Sequence, residues 1–410
     1  MGVPRFNCSR PISLPPPQSV HQLQPSNIEV IAALGDSLSV GQAEKATSGL
    51  DIFEKFPGSS FVTGNSVQIR DQATLFNIFN EFSPSLKGGS SDHIQKFYDF
   101  NFAVPGSFSS DLPRQAQELS DTLKRKLGDE NQKTWKLVNI FSGNNDLCKI
   151  CQNQTLYGPE SYGKSLRTAL GILQSSVPNV FVNLMTPVNV QIMTETHNIS
   201  KFCDTFHRLA CPCIFDLDKL QYQTIKEQFD AELKSVAEEF SNNSTTFTVV
   251  VAPTLNIPSI PHLGNQVNIG LLALDCFHVS PAAHDIVAKQ VWKGLFEKVG
   301  EKTALNPLSM GLDAFVCPPV ECPFLRTVGN SDNCEPVTEY KILQLAPYGV
   351  AQPALESSFS VFTMMGLMLF GSTLVLLFVR ASFRRSSEDF SAERRHLLPP
   401  KRVDLNDYIF

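Results

Sequence analysis

Two short stretches, far apart in the chain, hold the residue types of acyl transfer. Leu34-Gly35-Asp36-Ser37-Leu38 places a serine directly after an apolar run, and Asp275-Cys276-Phe277-His278 places an acid and an imidazole three residues apart. A serine hydroxyl is a poor nucleophile without a base, and histidine is the usual base near neutral pH. An acidic group must then hold the imidazole tautomer and stabilise the imidazolium. Asp275 and His278 can supply both from one loop. The plainer reading of Ser37 is a helix N-cap, and that of His278 a satisfied structural histidine. The other histidines are His21, His93, His197, His207, His262, His284 and His396, and none has an acid in that relation beside a strand–helix junction. Two further stretches could supply donors for an oxyanion: Asn101-Phe102-Ala103-Val104-Pro105-Gly106 and Ser142-Gly143-Asn144-Asn145-Asp146. A glycine N–H and an asparagine amide suit that task, joined by the N–H of Ser37. Each stretch alone reads as an ordinary turn, since glycine and asparagine dominate turns. The chain has no G-x-S-x-G, so the usual α/β-hydrolase elbow is absent.

These residues need a frame that brings them together. Apolar runs of strand length stand at 28–34, 135–141, 180–185 and 247–253. Helix-like segments lie between them at about 111–127, 160–175 and 216–240, and a closing helix is expected over 280–299, with Ser280 as N-cap and Pro281 in its first turn. Strands alternating with helices argue for a parallel sheet covered on both faces, and unbroken apolarity in the strands agrees. In such a sheet the carboxyl ends of the strands carry the site, which is where Ser37 falls.

Taken in order, the four blocks resemble those of the SGNH or GDSL hydrolase superfamily over about residues 28–300. The resemblance implies a three-layer α/β/α, flavodoxin-like fold without metal or cofactor. Carried over position by position, it makes Ser37 the nucleophile, Asp275 and His278 its triad partners, and Ser37, Gly106 and Asn145 the oxyanion donors. The segments AALGDSLSVG, NFAVPGS, SGNNDLC and DCFHVS look closer still to the membrane-anchored phospholipase B branch. That likeness implies phospholipid and lysophospholipid substrates at a membrane or micelle surface. It also implies a single-pass type I protein of the plasma membrane, on its apical side, with the esterase domain outside.

Composition is consistent with this. Hydrophobic residues make up 42% of the chain, enough for a sizeable core, and the net charge of -6 lacks the basic excess that nucleic-acid binding needs. Ten cysteines and sequons at Asn7, Asn153, Asn198, Asn242 and Asn243 point to an oxidising compartment and glycosylation. Residues 357–379 carry no charge and would span roughly 35 Å as a helix, enough to cross a bilayer. Arg380, Arg384, Arg385, Arg394 and Arg395 follow, which puts the tail at 380–410 in the cytoplasm. Residues 1–27, rich in Pro, Gln and Ser, are expected as a linker, and 301–356 as a stalk pinned by a disulfide. The first residues carry neither an apolar signal-peptide core nor a myristoylation pattern, so a truncated or variant form of a longer precursor is expected.

Other readings compete. Cys203, His207, Cys211 and Cys213 could hold zinc, but outside the cell disulfides are favoured. Cys148 and Cys151 form a C-x-x-C, read as a local bridge at the site rim in preference to a redox motif. In the tail, Glu393 with Leu397-Leu398 resembles a sorting signal, and Tyr408-Ile409-Phe410 a PDZ ligand, beside the plainer reading of an inert tail. The rivals to a lipid esterase are a silent surface binding domain, and an esterase or acyltransferase for another acyl group.

Overall fold

The structure, a computed structural model, describes residues 1–8, 16–92, 97–196, 199–241, 244–254, 262–263, 266–267, 269–304 and 315–334. All of them belong to the first of the two units into which the chain divides, Met1–Gln344. The expected membrane span, the tail motifs, and Asn198, Asn242 and Asn243 lie outside the described residues. Among the described residues no helix is long and apolar enough to cross a membrane.

Four parallel strands form the sheet in the order β1-β2-β3-β4: β1 Ile28–Gly35, β2 Trp135–Phe141, β3 Val180–Met185 and β4 Phe247–Ala252. Their register is regular, Leu34 beside Ile140, Ile140 beside Leu184, and Leu184 beside Val251. Isolated parallel bridges from Val30 to Lys87 and from Ala33 to Asn101 run along the outer edge of β1, where a flavodoxin-like sheet carries its second strand. A small antiparallel pair, β5 His262–Leu263 and β6 Gln266–Val267, stands apart. The helices are α1 Ser37–Val40, α2 Leu75–Phe82, α3 Leu112–Leu127, α4 Asn144–Lys149, α5 Gln154–Tyr157, α6 Pro159–Ser176, α7 Lys201–Ala210, α8 Cys213–Asp216, α9 Lys219–Ser241, α10 Pro281–Gly294 and α11 Val328–Ser331.

Strand side chains alternate between the two faces, and both faces are buried. Val30, Ala32 and Leu34 pack with Leu119 and Leu123 of α3, Leu166 and Leu170 of α6, and Phe229 and Leu233 of α9. Ile31, Ala33, Leu137 and Phe181 face the other way, toward Phe79 of α2 and Trp292 of α10. The periodicity that predicts α3 is the one that buries it: Leu112, Ala116, Leu119, Leu123 and Leu127 all point inward. Lys136 breaks the apolar pattern of β2 yet is fully buried. Its ammonium donates to the carbonyls of Asn131, Thr134 and Pro178 at 2.7, 2.8 and 2.9 Å, and burial pushes its pKa down to about 7.

The two flanking segments are not what their composition suggests. Of the expected linker, residues 1–8 and 16–27 pack onto the domain. Val3, Val20 and Leu23 are buried, the Val3 N–H donates to the Ile69 carbonyl at 2.7 Å, and the Gly2 N–H donates to Asp285 at 2.8 Å. Of the expected stalk, 315–334 does the same. The Leu325 N–H donates to the Leu23 carbonyl at 2.7 Å, Trp292 Nε1 donates to the Val316 carbonyl at 2.8 Å, and Cys8 is bonded to Cys317. Proline and glutamine lower the mean hydropathy of these stretches, but a few apolar anchors and one cross-link suffice to dock them. Cys322–Cys334 supplies a bridge within the expected stalk.

Candidate active site

β1 ends at Gly35, whose φ of 137° brings it against the end of β2. A Cβ there would collide with the Phe141 carbonyl, so only glycine fits. Asp36 follows and caps α1, its Oδ1 accepting the Leu38 N–H at 3.0 Å. The cap is thus Asp36 and not Ser37. Ser37 is the first helical residue, 6% exposed, and lines a cavity.

The loop that reads as a turn at 104–107 is stitched to this strand end. The Val104 N–H donates to the Gly35 carbonyl at 3.0 Å, and Ser107 Oγ donates to the same oxygen at 2.8 Å. Gln115 of α3 grips Gly35 from both sides: its Nε2 donates to the carbonyl and its Oε1 accepts the N–H. Gly106 takes a positive φ of 73° inside this turn. The start of α4 then binds the same loop. Asn145 Nδ2 donates to the Ser107 carbonyl at 2.8 Å, and Asp146 accepts the Ser109 N–H and hydroxyl at 2.9 and 2.6 Å. Asn144, which carried no assigned role in the sequence, bridges two strand ends. Its Nδ2 donates to Asp36 at 3.0 Å and its Oδ1 accepts the Val188 N–H at 2.9 Å.

The acid–imidazole pair sits in a tight turn closed by the Ala273 N–H donating to the His278 carbonyl, at 2.8 Å. Both side chains are buried. His278 Nδ1 donates to Asp275 Oδ2 at 2.5 Å, while Asp275 Oδ1 accepts the backbone N–H groups of Phe277 and His278 at 3.0 and 2.9 Å. Burial alone would push the Asp275 carboxyl up, but the hydrogen bond and charge of His278, with the backbone donors, hold it below its ordinary value. Cys276 takes the left-handed conformation, φ 60°, that this turn needs. It is held there by a disulfide to Cys203 of α7 and by His207, whose Nε2 donates to the Cys276 carbonyl at 3.0 Å. Ser280 then caps α10, as expected from the sequence.

These pieces meet at one cavity of about 130 Å³, lined by Ser37, Asn144 and Asn145 and by Phe277 and Val279, the residues on either side of His278. The charge of His278 also reaches Asp36. Gly106 is tied to Gly35 and to Asn145 through Ser107, but does not line the cavity. All ten cysteines form disulfides, and the expected local bridge is corrected: Cys148 pairs with Cys211 and Cys151 with Cys213. Cys148 lies in the last turn of α4 and Cys151 just past its end, and the two sulfurs meet separate partners in the 211–213 segment. The cysteines of the would-be zinc cluster are all spent in these bridges. Asn7 and Asn153 are exposed, and Asn153 caps α5 through its side-chain oxygen, leaving the amide nitrogen outward.

The profile of the GDSL-like lipase/acylhydrolase family matches residues 31–291. The chain belongs to that family. That family is one of lipases and acylhydrolases. Over 329 residues it is 35% identical to the membrane-associated phospholipase B1 of Homo sapiens, covering 77% of this chain and 22% of that protein. The Mus musculus protein of the same name is 34% identical over 331 residues, with the same coverage. The chain therefore spans less than a quarter of the length of these curated relatives. A crystal structure described as a GDSL-like lipase from Parabacteroides merdae aligns with 66% of this chain and 96% of its own, at 12% identity and a TM-score of 0.33.

Burial around the family's blocks makes the site pH-sensitive. Asp36 is pushed up to about 6 by burial, against hydrogen bonds from Asn144 and Leu38, and Asp146 likewise, against those from Ser109. A carboxyl raised on folding binds more protons in the folded chain than in the unfolded one. Stability therefore falls as pH rises from about 4 through about 6, by about 3 kcal/mol for a shift of this size. Asp36→Asn keeps the cap oxygen but removes the titration. Its urea midpoint is expected to fall less across that window than the parent's. Equal slopes in the two proteins would show that Asp36 ionises with its ordinary pKa.

Proposed function

We propose that this chain is a membrane-anchored serine ester hydrolase that cleaves fatty-acyl esters of phospholipids and lysophospholipids. The observation that carries the reading is the cavity that Ser37 lines, walled largely by apolar side chains and by Phe277 and Val279, the two neighbours of His278, whose imidazole is bonded to Asp275. Ser37 Oγ attacks the acyl carbonyl while His278 Nε2 takes its proton. Asp275 holds the Nδ1–H and stabilises the imidazolium that forms. The oxyanion is received by the N–H groups of Ser37 and Gly106 and by the Asn145 amide. His278 then protonates the leaving alcohol, and water, activated by the same imidazole, clears the acyl-enzyme.

The lipid substrates rest on the apolar wall and on what the phospholipase B1 relatives are called. The anchor is the uncharged stretch at 357–379, followed by its arginines. With the disulfides and the exposed sequons Asn7 and Asn153, it makes the protein single-pass, with the esterase domain outside the cell, at the plasma membrane and on its apical face. Tail contacts with sorting or PDZ partners belong to the same reading.

The test is a fluorophosphonate probe on the full chain, followed by peptide mapping and by a panel of phospholipids and lysophospholipids presented with and without detergent micelles. Labelling at Ser37 and release of fatty acid are expected. A folded protein that takes no label favours the silent binding domain. One that takes label but cleaves only short, water-soluble esters overturns the lipid assignment.

A further inference from the structure

The cavity has an order to it. Of its polar lining residues, Ser37, Asn144 and Asn145 stand just past the ends of β1 and β2, Thr254 just past the end of β4, and Gln290 in the third turn of α10. Between them α10 presents one stripe, Ala283, Ile286, Val287, Gln290 and Val291, at the three- and four-residue spacing of a single helix face. α10 starts directly after His278 and Val279, so its first turn lies at the reacting end and its later turns lead away from it. From Ala283 to Val291 a helix rises roughly 12 Å. Met185, Pro253 and Thr254, at the ends of β3 and β4, line the opposite wall, so the cavity also crosses the sheet edge from β1 toward β4, roughly 14 Å at ordinary strand spacing. At the far end the Gln290 amide is already committed, its Nε2 donating to the Thr303 carbonyl at 2.9 Å. Anything passing it must displace a satisfied, buried polar group.

A polar head, an apolar shaft of fixed length and a polar stop match one kind of ligand, a linear acyl chain whose ester carbon sits at Ser37. We propose that α10 is a ruler for that chain, with Val287 and Val291 as its graduations and Gln290 with Thr303 as its stop. Carbon–carbon bonds of about 1.5 Å, laid in a zigzag, set an upper limit of about ten carbons beyond the carbonyl for that length. Each carbon within the ruler gains apolar contact, and carbons beyond it gain none. The inference rests on the ester-hydrolase reading and adds to it a residue-by-residue basis for acyl-length selectivity.

The experiment measures kcat/KM on the full chain for p-nitrophenyl esters of two to fourteen acyl carbons, kept below their aggregation concentrations. The same series is run on Val287→Phe and Val291→Phe. In the parent, kcat/KM is expected to rise by up to about fourfold per methylene and to stop rising at or before about ten carbons. The break point moves to shorter chains by about one helical turn, 5.4 Å, in Val287→Phe, and by less in Val291→Phe, which stands level with the stop. A break point that stays put in both variants, or moves equally in both, overturns the ruler. So does a parent whose rate rises without a break or does not rise at all, and that series alone decides if the variants do not fold. A parent that cleaves no ester of any length instead overturns the hydrolase reading on which the ruler stands.

Discussion

Ser37→Ala is expected to lower kcat for ester cleavage on the order of a millionfold, as loss of the nucleophile does in other serine triads. The size follows from what the substitution leaves behind. On the proposed roles, the Ser37 N–H, Gly106 and Asn145 remain to receive an oxyanion, so binding and polarisation persist, but no covalent path does. The fold should hardly notice. Asp36 caps α1 through its own side chain, so the serine hydroxyl has no capping duty to lose. Alanine at the first helical position is well tolerated, and the change in stability should stay within about 0.5 kcal/mol. Steady-state kinetics on a soluble ester, alongside a thermal melt, reads both quantities. An alanine variant with its melt intact and kcat within tenfold of the parent would remove Ser37 from the chemistry and leave only its place in the cavity wall.

Much of the frame behind this site is legible in one dimension, for a physical reason. A strand buried on both faces must be apolar except where a polar side chain finds partners, as Lys136 does, and such a run is hard to mistake. The segments 28–34, 135–141, 180–185 and 247–253 accordingly differ from the strands by a residue at most. The helices between them are marked by their buried stripes, and α10 by the Ser280-Pro281 start. The family is legible because its blocks sit at strand ends, where local sequence and site coincide.

What was not legible depends on contacts between distant segments. Asn144 looks like spacing between Gly143 and Asn145, and its bridge from Asp36 to Val188 exists only once β1, β2 and β3 lie side by side. Gln115 is an ordinary polar residue of α3 until the chain folds it back over Gly35. The pairing of Cys148 and Cys151 with the 211–213 segment could not be had from spacing, because a C-x-x-C turn allows a local bridge and a remote one alike. The docking of residues 1–8, 16–27 and 315–334 is not legible because average composition hides single anchors. Val3, Leu23 and Leu325, with the Cys8–Cys317 bond, carry that docking. The Asp275–His278 turn combines both situations. Asp275 and His278 are close in sequence, whereas the clamp on Cys276 comes from Cys203 and His207 on α7.

Asp275→Asn is the sharper probe of that turn. The carboxylate has two tasks, one on each oxygen. Oδ1 accepts the Phe277 and His278 N–H groups and shapes the loop, and Oδ2 accepts the Nδ1–H of His278. Asparagine can keep its carbonyl oxygen on the two backbone donors, so the loop survives. Its NH2 then faces Nδ1, which must become the acceptor, and the imidazole proton moves to Nε2. A histidine protonated at Nε2 cannot take the proton of Ser37, and the imidazolium has lost its counter-charge. The expected loss in kcat is about 10⁴-fold, with the urea midpoint close to the parent's. Asp275→Ala should lose as much activity and, in addition, about 1–3 kcal/mol of stability for each buried backbone N–H left without a partner. Measuring kcat and the midpoint for both variants therefore separates tautomer control from loop shaping. An asparagine variant within tenfold of the parent would mean that Asp275 serves the loop alone. The orientation of His278 would then have to come from restraints such as the Cys203 and His207 clamp on Cys276.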